Sequence, residues 1–495
     1  MYDSHTLPTI IQGGMGVSVS NWELARAVST AGELGVVSGT ALDVVCARRL
    51  QTGDPGGHMR RALAHFPDMA MARRVMKQYY VHGGKAPDAS FTTVPRFTIT
   101  PPRALQELAV VATFCEVWLA KEGHAGAVGI NFLRKIELPL PFGLLGALLA
   151  GVDYVIVGAG NPSDLPAMIR ALAAGEDLDF HVKAQGLRSD DAPVTVRCSP
   201  RELLGARAGG LAEPRFLAIV ASVDLAAGLF ADERTRPFGF VVEGPSAGGH
   251  NAPPRGPRRT DELGQPVYDD RDTPDLGALA DLGLPFWLAG SFGTPAGLAS
   301  ALEFGAVGVQ VGTAFAYCAQ SGLADSLKTE VIEALQAGTL DVRSDWRASP
   351  TGFPFRVIQL AGTVSDPEVA AGRKAVCDLG ALRVPFKKAN GEIDYRCPAE
   401  PAAMYARKGG RAANAEGRRC LCNALLAAAD LPQVRPNGYV EPPIVTSGED
   451  FSAVAALSGP GTGGTYSADE VLVHLRSGLT AFAKVRTGRR AATGE

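Results

Sequence analysis

Short runs of β-branched and apolar residues recur along the first 310 or so positions, each followed by a glycine-rich turn and then by apolar positions at helical spacing. The runs fall at 8–12, 35–39, 127–132, 153–158, 216–222, 238–243, 285–289 and 307–311. They are nearly continuous in apolar character, which marks strands buried on both faces, as in a parallel sheet. Eight such strands alternating with helices predict an α/β fold, a (β/α)8 TIM barrel, with an open doubly wound sheet as the alternative. No Gly-x-Gly-x-x-Gly opens a helix after the first run, so the dinucleotide fingerprint is absent.

Three segments interrupt the alternation: about 42–126, 175–214 and 251–273. The first two are too long for a βα loop and its helix. Helical pieces are expected within the first at 59–80 and 101–121, and both long segments should lie over or beside the barrel and shape substrate access. The third is rich in Pro, Arg and Asp and reads as a loop. The pattern stops near residue 320. Residues 1–319 are therefore read as the barrel, and 320–495 as a mostly helical C-terminal extension. Its last helix is expected at 467–482, with a basic, frayed tail from Lys484.

Composition narrows the partners. Lys and Arg number 48 against 51 Asp and Glu, a net charge of −3. That balance argues against nucleic acid or an anionic membrane as the main partner. The most apolar stretch, 138–157, is broken by Pro139, Pro141 and Asp153, and no basic, apolar leader opens the chain. Eight cysteines in 495 residues suit a reduced, cytoplasmic enzyme. The oligomeric state stays open.

The candidate chemistry lies at the C-terminal strand ends, the active face of a parallel barrel. Those positions hold Gly13-Gly14-Met15-Gly16, Asn131, Gly158-Ala159-Gly160, Glu243 through Gly248-Gly249-His250, Gly290-Ser291 and Gln310-Val311-Gly312-Thr313. Glycine at so many strand ends leaves bare main chain where a large planar ligand can lie. The last two loops are the usual phosphate cradle of such barrels.

These residues resemble the nitronate monooxygenase (2-nitropropane dioxygenase-like) flavoproteins and the related FMN-dependent enoyl-acyl-carrier-protein reductases. Ala-Gly-Gly-His at 247–250 is the most specific element. The resemblance implies one FMN, its ring system near Gly14, Met15, Gly16, Asn131, Glu243, Gly248 and Gly249. Its phosphate would lie on Gly290, Ser291, Gln310, Val311, Gly312 and Thr313. It also implies that His250 is catalytic, as base or proton donor, or as a cation that holds an anionic substrate. Ser291 stands where simpler members tend to have a second glycine. A basic loop with Arg255, Arg258 and Arg259 follows His250 and either receives an anionic substrate group or is a solvated loop.

Two further features stand apart. Cys377, Cys397, Cys420 and Cys422 fall within 46 positions, as candidate ligands for zinc or an iron–sulfur cluster or as free thiols, but without a Cys-x2-Cys pair. The turn-rich segments 349–356 and 446–450 either fold back over the cofactor or are structural turns. The first functional expectation is an FMN oxidoreductase that oxidises a nitronate or similar carbanionic substrate with O2. The alternative is an enoyl reductase that uses NAD(P)H on an enoyl thioester, with an acyl carrier protein as partner. A flavin-binding protein without turnover is the third.

Overall fold

In the computed structural model, residues 7–459 and 464–493 are described, with side chains as far as residue 480. The strands run β1 (Ile10–Gln12), β2 (Leu34–Ser38), β3 (Val128–Leu133), β4 (Tyr154–Gly158), β5 (Leu178–His181), β6 (Thr195–Cys198), β7 (Arg215–Val220) and β8 (Gly239–Glu243). Then follow β9 (Gly249–His250), β10 (Phe286–Ala289), β11 (Gly308–Val311), β12 (Val342–Asp345), β13 (Phe355–Ile358), β14 (Val384–Lys387) and β15 (Ile393–Arg396). Eight of them close a parallel barrel in the order β1-β11-β10-β8-β7-β4-β3-β2. The TIM barrel expected from the apolar runs is the fold, and each run lies within two residues of its strand.

Alternation along the strands sorts the side chains. Ile11, Leu34, Val36, Ile156, Leu217, Val241 and Trp287 fill the barrel interior, while their neighbours in sequence pack outward on the helices. Trp287 is fully buried and donates its Nε1–H to Pro8 O at 2.8 Å, closing the floor. Local signals set the first helix, Trp22–Thr30: Asn21 caps it by accepting from the Leu24 amide at 2.9 Å.

The insertions take ordered form. Residues 42–126 hold helices Leu42–Gln51, His58–Leu63, Met69–Tyr79 and Arg103–Lys121. Residues 175–214 hold the β5–β6 hairpin and the short helix Pro200–Leu204, and 251–273 is a loop with one 3-10 turn. The extension is less purely helical than its sequence suggests. It supplies β12 and β13, which join β9 in a three-stranded sheet, and the β14–β15 hairpin. A third apolar core, including Ile136, Phe355, Val357, Leu382, Leu421 and Ile444, fixes it over the barrel mouth. The last helix, Ala468–Thr493, runs eleven residues past its expected end, through the basic tail whose side chains lie outside the described residues. It packs on helix Pro295–Glu303 so closely that a Cβ at Gly478 would stand 2.1 Å from Pro295 O. Among the described residues, no helix is long and apolar enough to cross a membrane.

Candidate active site

A cavity of about 270 Å³ opens at the C-terminal end of the barrel. His250 and all thirteen residues assigned to the cofactor line it. Its floor is main chain because side chains have no room. A Cβ at Gly14 would stand 2.4 Å from Asn131 Cβ, and one at Gly158 would stand 2.8 Å from Ile219 Cδ1. Asn131 Nδ2 donates to Gly14 O at 3.3 Å, locking the first and third strand ends together. Gln310 Oε1 is buried there without a hydrogen-bond partner, a polar atom facing the space a planar ligand would fill.

The two loops after β10 and β11 form a cradle. Gly290 and Ser291 both adopt left-handed backbone, with φ of 83° and 60°. Serine therefore takes at 291 a conformation that glycine favours. Among the described residues, no protein acceptor takes the amides of Gly290, Ser291, Gly312 or Thr313. Four free donors in adjoining loops suit a phosphate. Gly448 covers them, donating its amide to Thr313 Oγ1 at 3.0 Å. The bare floor, the unpartnered carboxamide oxygen and the free amides fit FMN.

His250 is placed by the extension. β9 pairs antiparallel with β13, setting His250 opposite Phe355. The two rings meet edge to face with centroids 4.8 Å apart. His250 Nε2 and Ser349 Oγ share a 2.6 Å hydrogen bond, and Ser349 Oγ lies 2.8 Å from Thr351 Oγ1. Arg418 braces the turn by donating to Ser349 O at 2.8 Å. Segment 446–450 closes the other side. The Gly249 amide donates to Thr446 Oγ1 at 3.1 Å, and buried Arg356 donates to Glu449 Oε2 at 2.6 Å and to Pro245 O at 2.8 Å. Both turn segments thus fold back over the mouth.

Burial sets the charges. It pushes His250 down to about 3, helped by the positive charge of Lys135, so the imidazole is neutral at pH 7. Burial pushes Glu243 up to about 7, partly offset by Lys135. Lys135 itself is lowered by burial to about 8, with Glu243 opposing the shift. Its ammonium sits 3.3 Å from the Phe353 ring centroid. Lys135 is the group that sequence reasoning missed, because a lysine just beyond a strand reads as solvent-exposed.

The arginine loop lies at the surface. Arg255 donates to Arg271 O and Ala221 O, Arg259 pairs with Asp269, and Arg258 stacks on Trp346 at 4.0 Å. Arg255 and Arg259 thus have protein acceptors, while Arg258 makes only the ring contact, and all three residues stay exposed to solvent.

Residues 216–359 match the family model described as nitronate monooxygenase. That span takes in both His250 and Ser349, and the resemblance carried by residues 243–250 holds there. A relative from Mycobacterium tuberculosis (strain ATCC 25618 / H37Rv) is named (3aS,4S,5R,7aS)-5-hydroxy-7a-methyl-1-oxo-octahydro-1H-indene-4-carboxyl-CoA dehydrogenase. It is 35% identical over 263 residues, 52% of this chain and 63% of the relative, so the chain spans less than two thirds of that protein's length. Among solved structures, FabK from Thermotoga maritima is 16% identical with a TM-score of 0.46, covering 98% of this chain and 96% of that one. The enoyl reductase domain of MlnA from Bacillus amyloliquefaciens is 10% identical with a TM-score of 0.49, covering 98% of each chain. Nitroalkane oxidase from Streptomyces ansochromogenes is 13% identical with a TM-score of 0.43, covering 97% of this chain and 99% of that one.

Proposed function

We propose that this chain, matched over residues 216–359 to the nitronate monooxygenase family, is an FMN-dependent oxidoreductase. Its substrate carries an acidic C–H or a carbanion next to an electron-withdrawing group, a nitronate in the first instance, and O2 is the final acceptor. The observation that carries the reading is a neutral imidazole, fixed by Ser349 at the rim of a cavity floored with glycine.

Bound FMN would accept two electrons from the substrate and be reoxidised by O2. Gly14, Gly16, Asn131 and Gln310 would lie against its ring system, and the amides of Gly290, Ser291, Gly312 and Thr313 would hold its phosphate. With Nε2–H donating to Ser349 Oγ, His250 keeps the Nδ1 lone pair free to take a substrate proton. A standing imidazolium is not the anion holder, because burial keeps His250 neutral. Lys135, still largely charged at pH 7, does not line the cavity; from behind the lining it would bias the site's charge through its electrostatic reach to Glu243 and His250. Phe355, Leu379, Leu382 and Leu425 wall the cavity and exclude water.

A second reading is an acyl-thioester oxidoreductase, either an enoyl reductase or a dehydrogenase. The printed name of the 35%-identical relative, a carboxyl-CoA dehydrogenase, and the apolar wall favour it. The same base would then act on the carbon next to a thioester carbonyl.

Anaerobic bleaching of the FMN-loaded protein distinguishes these readings. Bleaching by a nitronate and not by NAD(P)H is the expected result. Bleaching by NAD(P)H or by an acyl-CoA moves the assignment to the second reading. A protein that takes up no FMN on reconstitution overturns both.

A further inference from the structure

The lining of the cavity divides by origin. The residues assigned to FMN fall between Gly14 and Thr313, in the barrel, and offer chiefly main chain and polar side chains. Leu379, Ala381, Leu382, Leu421, Cys422 and Leu425 line the same cavity, and all six come from the extension. Two local features bring them there. Gly380, with a left-handed φ of 67°, bends the chain between Leu379 and Ala381, and the Arg383 amide donates to Gly380 O at 3.2 Å. The helix Leu421–Ala427 presents Leu421 and Leu425 from successive turns of one face, with Cys422 beside them.

None of these six side chains carries a charge or a strong hydrogen-bonding group. Cys377, Cys397, Cys420 and Cys422 are free, and among the described residues no group of three or more His, Cys, Asp or Glu side chains is arranged to hold a metal ion. Cys422 therefore joins the wall as a small apolar side chain. Ala381, Cys422 and Leu425 stay only half-buried while packing against the apolar core of the extension. Apolar surface left open on a cavity wall gains by taking apolar matter out of water. The wall also reaches the base. Phe355, whose ring meets that of His250 at 4.8 Å, shares the same core with Leu382 and Leu421. A carbon that gives its proton to His250 thus has the wall as its neighbour.

We propose that this wall is a substrate subsite: it seats an aliphatic or alicyclic body attached to the reacting carbon, and Leu382 and Leu425 set the size it accepts. The proposal rests on the FMN-dependent reading above and holds for a nitronate or a thioester alike. The smallest nitroalkanes carry too little hydrocarbon to cover the wall and are not the preferred substrates. A wall that only excluded water would be indifferent to ligand length. A subsite adds affinity for each methylene it covers, about fourfold.

The test is calorimetric binding of unreactive probes, the straight-chain amides from butanamide to nonanamide, to the full FMN-loaded chain. Affinity should rise about fourfold per methylene through at least heptanamide and then level off. Leu425→Gln nearly keeps the volume and makes the wall polar, so it should flatten the gradient to about twofold per methylene or less, with FMN content unchanged. Far-UV circular dichroism checks that the variant is folded, and if it is not, the gradient of the parent protein alone decides. Affinity independent of chain length overturns the proposal. So does an unchanged gradient in Leu425→Gln, or loss of FMN from a natively folded Leu425→Gln, which would make the wall part of the flavin site. Anaerobic bleaching by nitronates of the same chain lengths is read separately. Amides that bind with the gradient while neither nitronates nor acyl-CoA bleach the flavin leave the subsite standing and overturn the proposed reaction. Bleaching that does not vary with chain length does the reverse.

Discussion

His250 and Ser349 are 99 positions apart in sequence and 2.6 Å apart in space, joined Nε2 to Oγ. The first stands at the barrel mouth and the second in the extension. That bond fixes which imidazole nitrogen faces the cavity. Ser349→Ala should therefore lower kcat roughly tenfold, about 1.4 kcal/mol of lost orientation, with FMN affinity unchanged. Steady-state kinetics with the substrate that bleaches the flavin are the check, and an unaltered kcat would remove Ser349 from the site's chemistry.

Glu243 gives a pH signature with a defined sign. Its carboxyl is held up at about 7 by burial, so between pH 4.5 and about 7 the folded protein binds a proton that the unfolded chain has released. Its contribution makes stability fall as pH rises through that window. His250, lowered to about 3, acts oppositely, adding stability as pH rises from about 3 to 6.5. Glu243→Gln should abolish the first effect. Its stability relative to the parent should climb by about 2–3 kcal/mol between pH 4.5 and 8. Urea titrations of FMN-free protein measure this, and a pH-independent difference would mean that Glu243 is ionised throughout.

Gly14 leaves no space for a methyl group, since its Cβ would stand 2.4 Å from Asn131 Cβ. Gly14→Ala should cost about 1–3 kcal/mol of stability and weaken FMN binding at least tenfold. Asn131→Gly removes the opposing atoms, so the double variant should recover much of the stability lost in Gly14→Ala. Additive losses in this cycle would place the clash elsewhere.

Arg356 holds segment 446–450 against the loop after β8 through Glu449 and Pro245 O. Arg356→Met keeps most of the bulk and removes both attachments. Amide hydrogen exchange should speed up across 446–450 while the barrel strands stay protected, and FMN should dissociate faster.

Ser291 carries left-handed backbone that a Cβ disfavours, with φ of 60°. Ser291→Gly should raise thermal stability slightly, by up to about 1 kcal/mol, and leave FMN affinity intact. A loss of affinity would give the Ser291 hydroxyl a direct part in holding the phosphate.

The barrel was readable because strands buried on both faces leave unbroken apolar runs, and all eight did. The glycine floor was readable because strand ends are where such barrels bind ligands, and Gly14, Gly290 and Gly312 sit there. The roof was harder. β13 is four residues long, and its partner β9 only two, so neither has a periodicity to detect. Segment 349–356 reads as a turn until Phe355 is seen across from His250. Lys135 was invisible for a related reason: burial of a loop lysine depends on Phe353, which comes from the distant extension. The extension was expected to be mostly helical because its strands are too short and too polar to register as strands.

The antiparallel register of β9 with β13, and the seat of Gly448 on Thr313, also set a schedule for biosynthesis. A polypeptide still on the ribosome with only its first 320 residues emerged lacks both the roof of the mouth and the last helix, which packs on helices Trp22–Thr30 and Pro295–Glu303. The contacts that close the mouth form only once residue 450 has cleared the exit tunnel. A chain cut near residue 320 is therefore expected to hold FMN less well than the full chain, which equilibrium dialysis of the two would show.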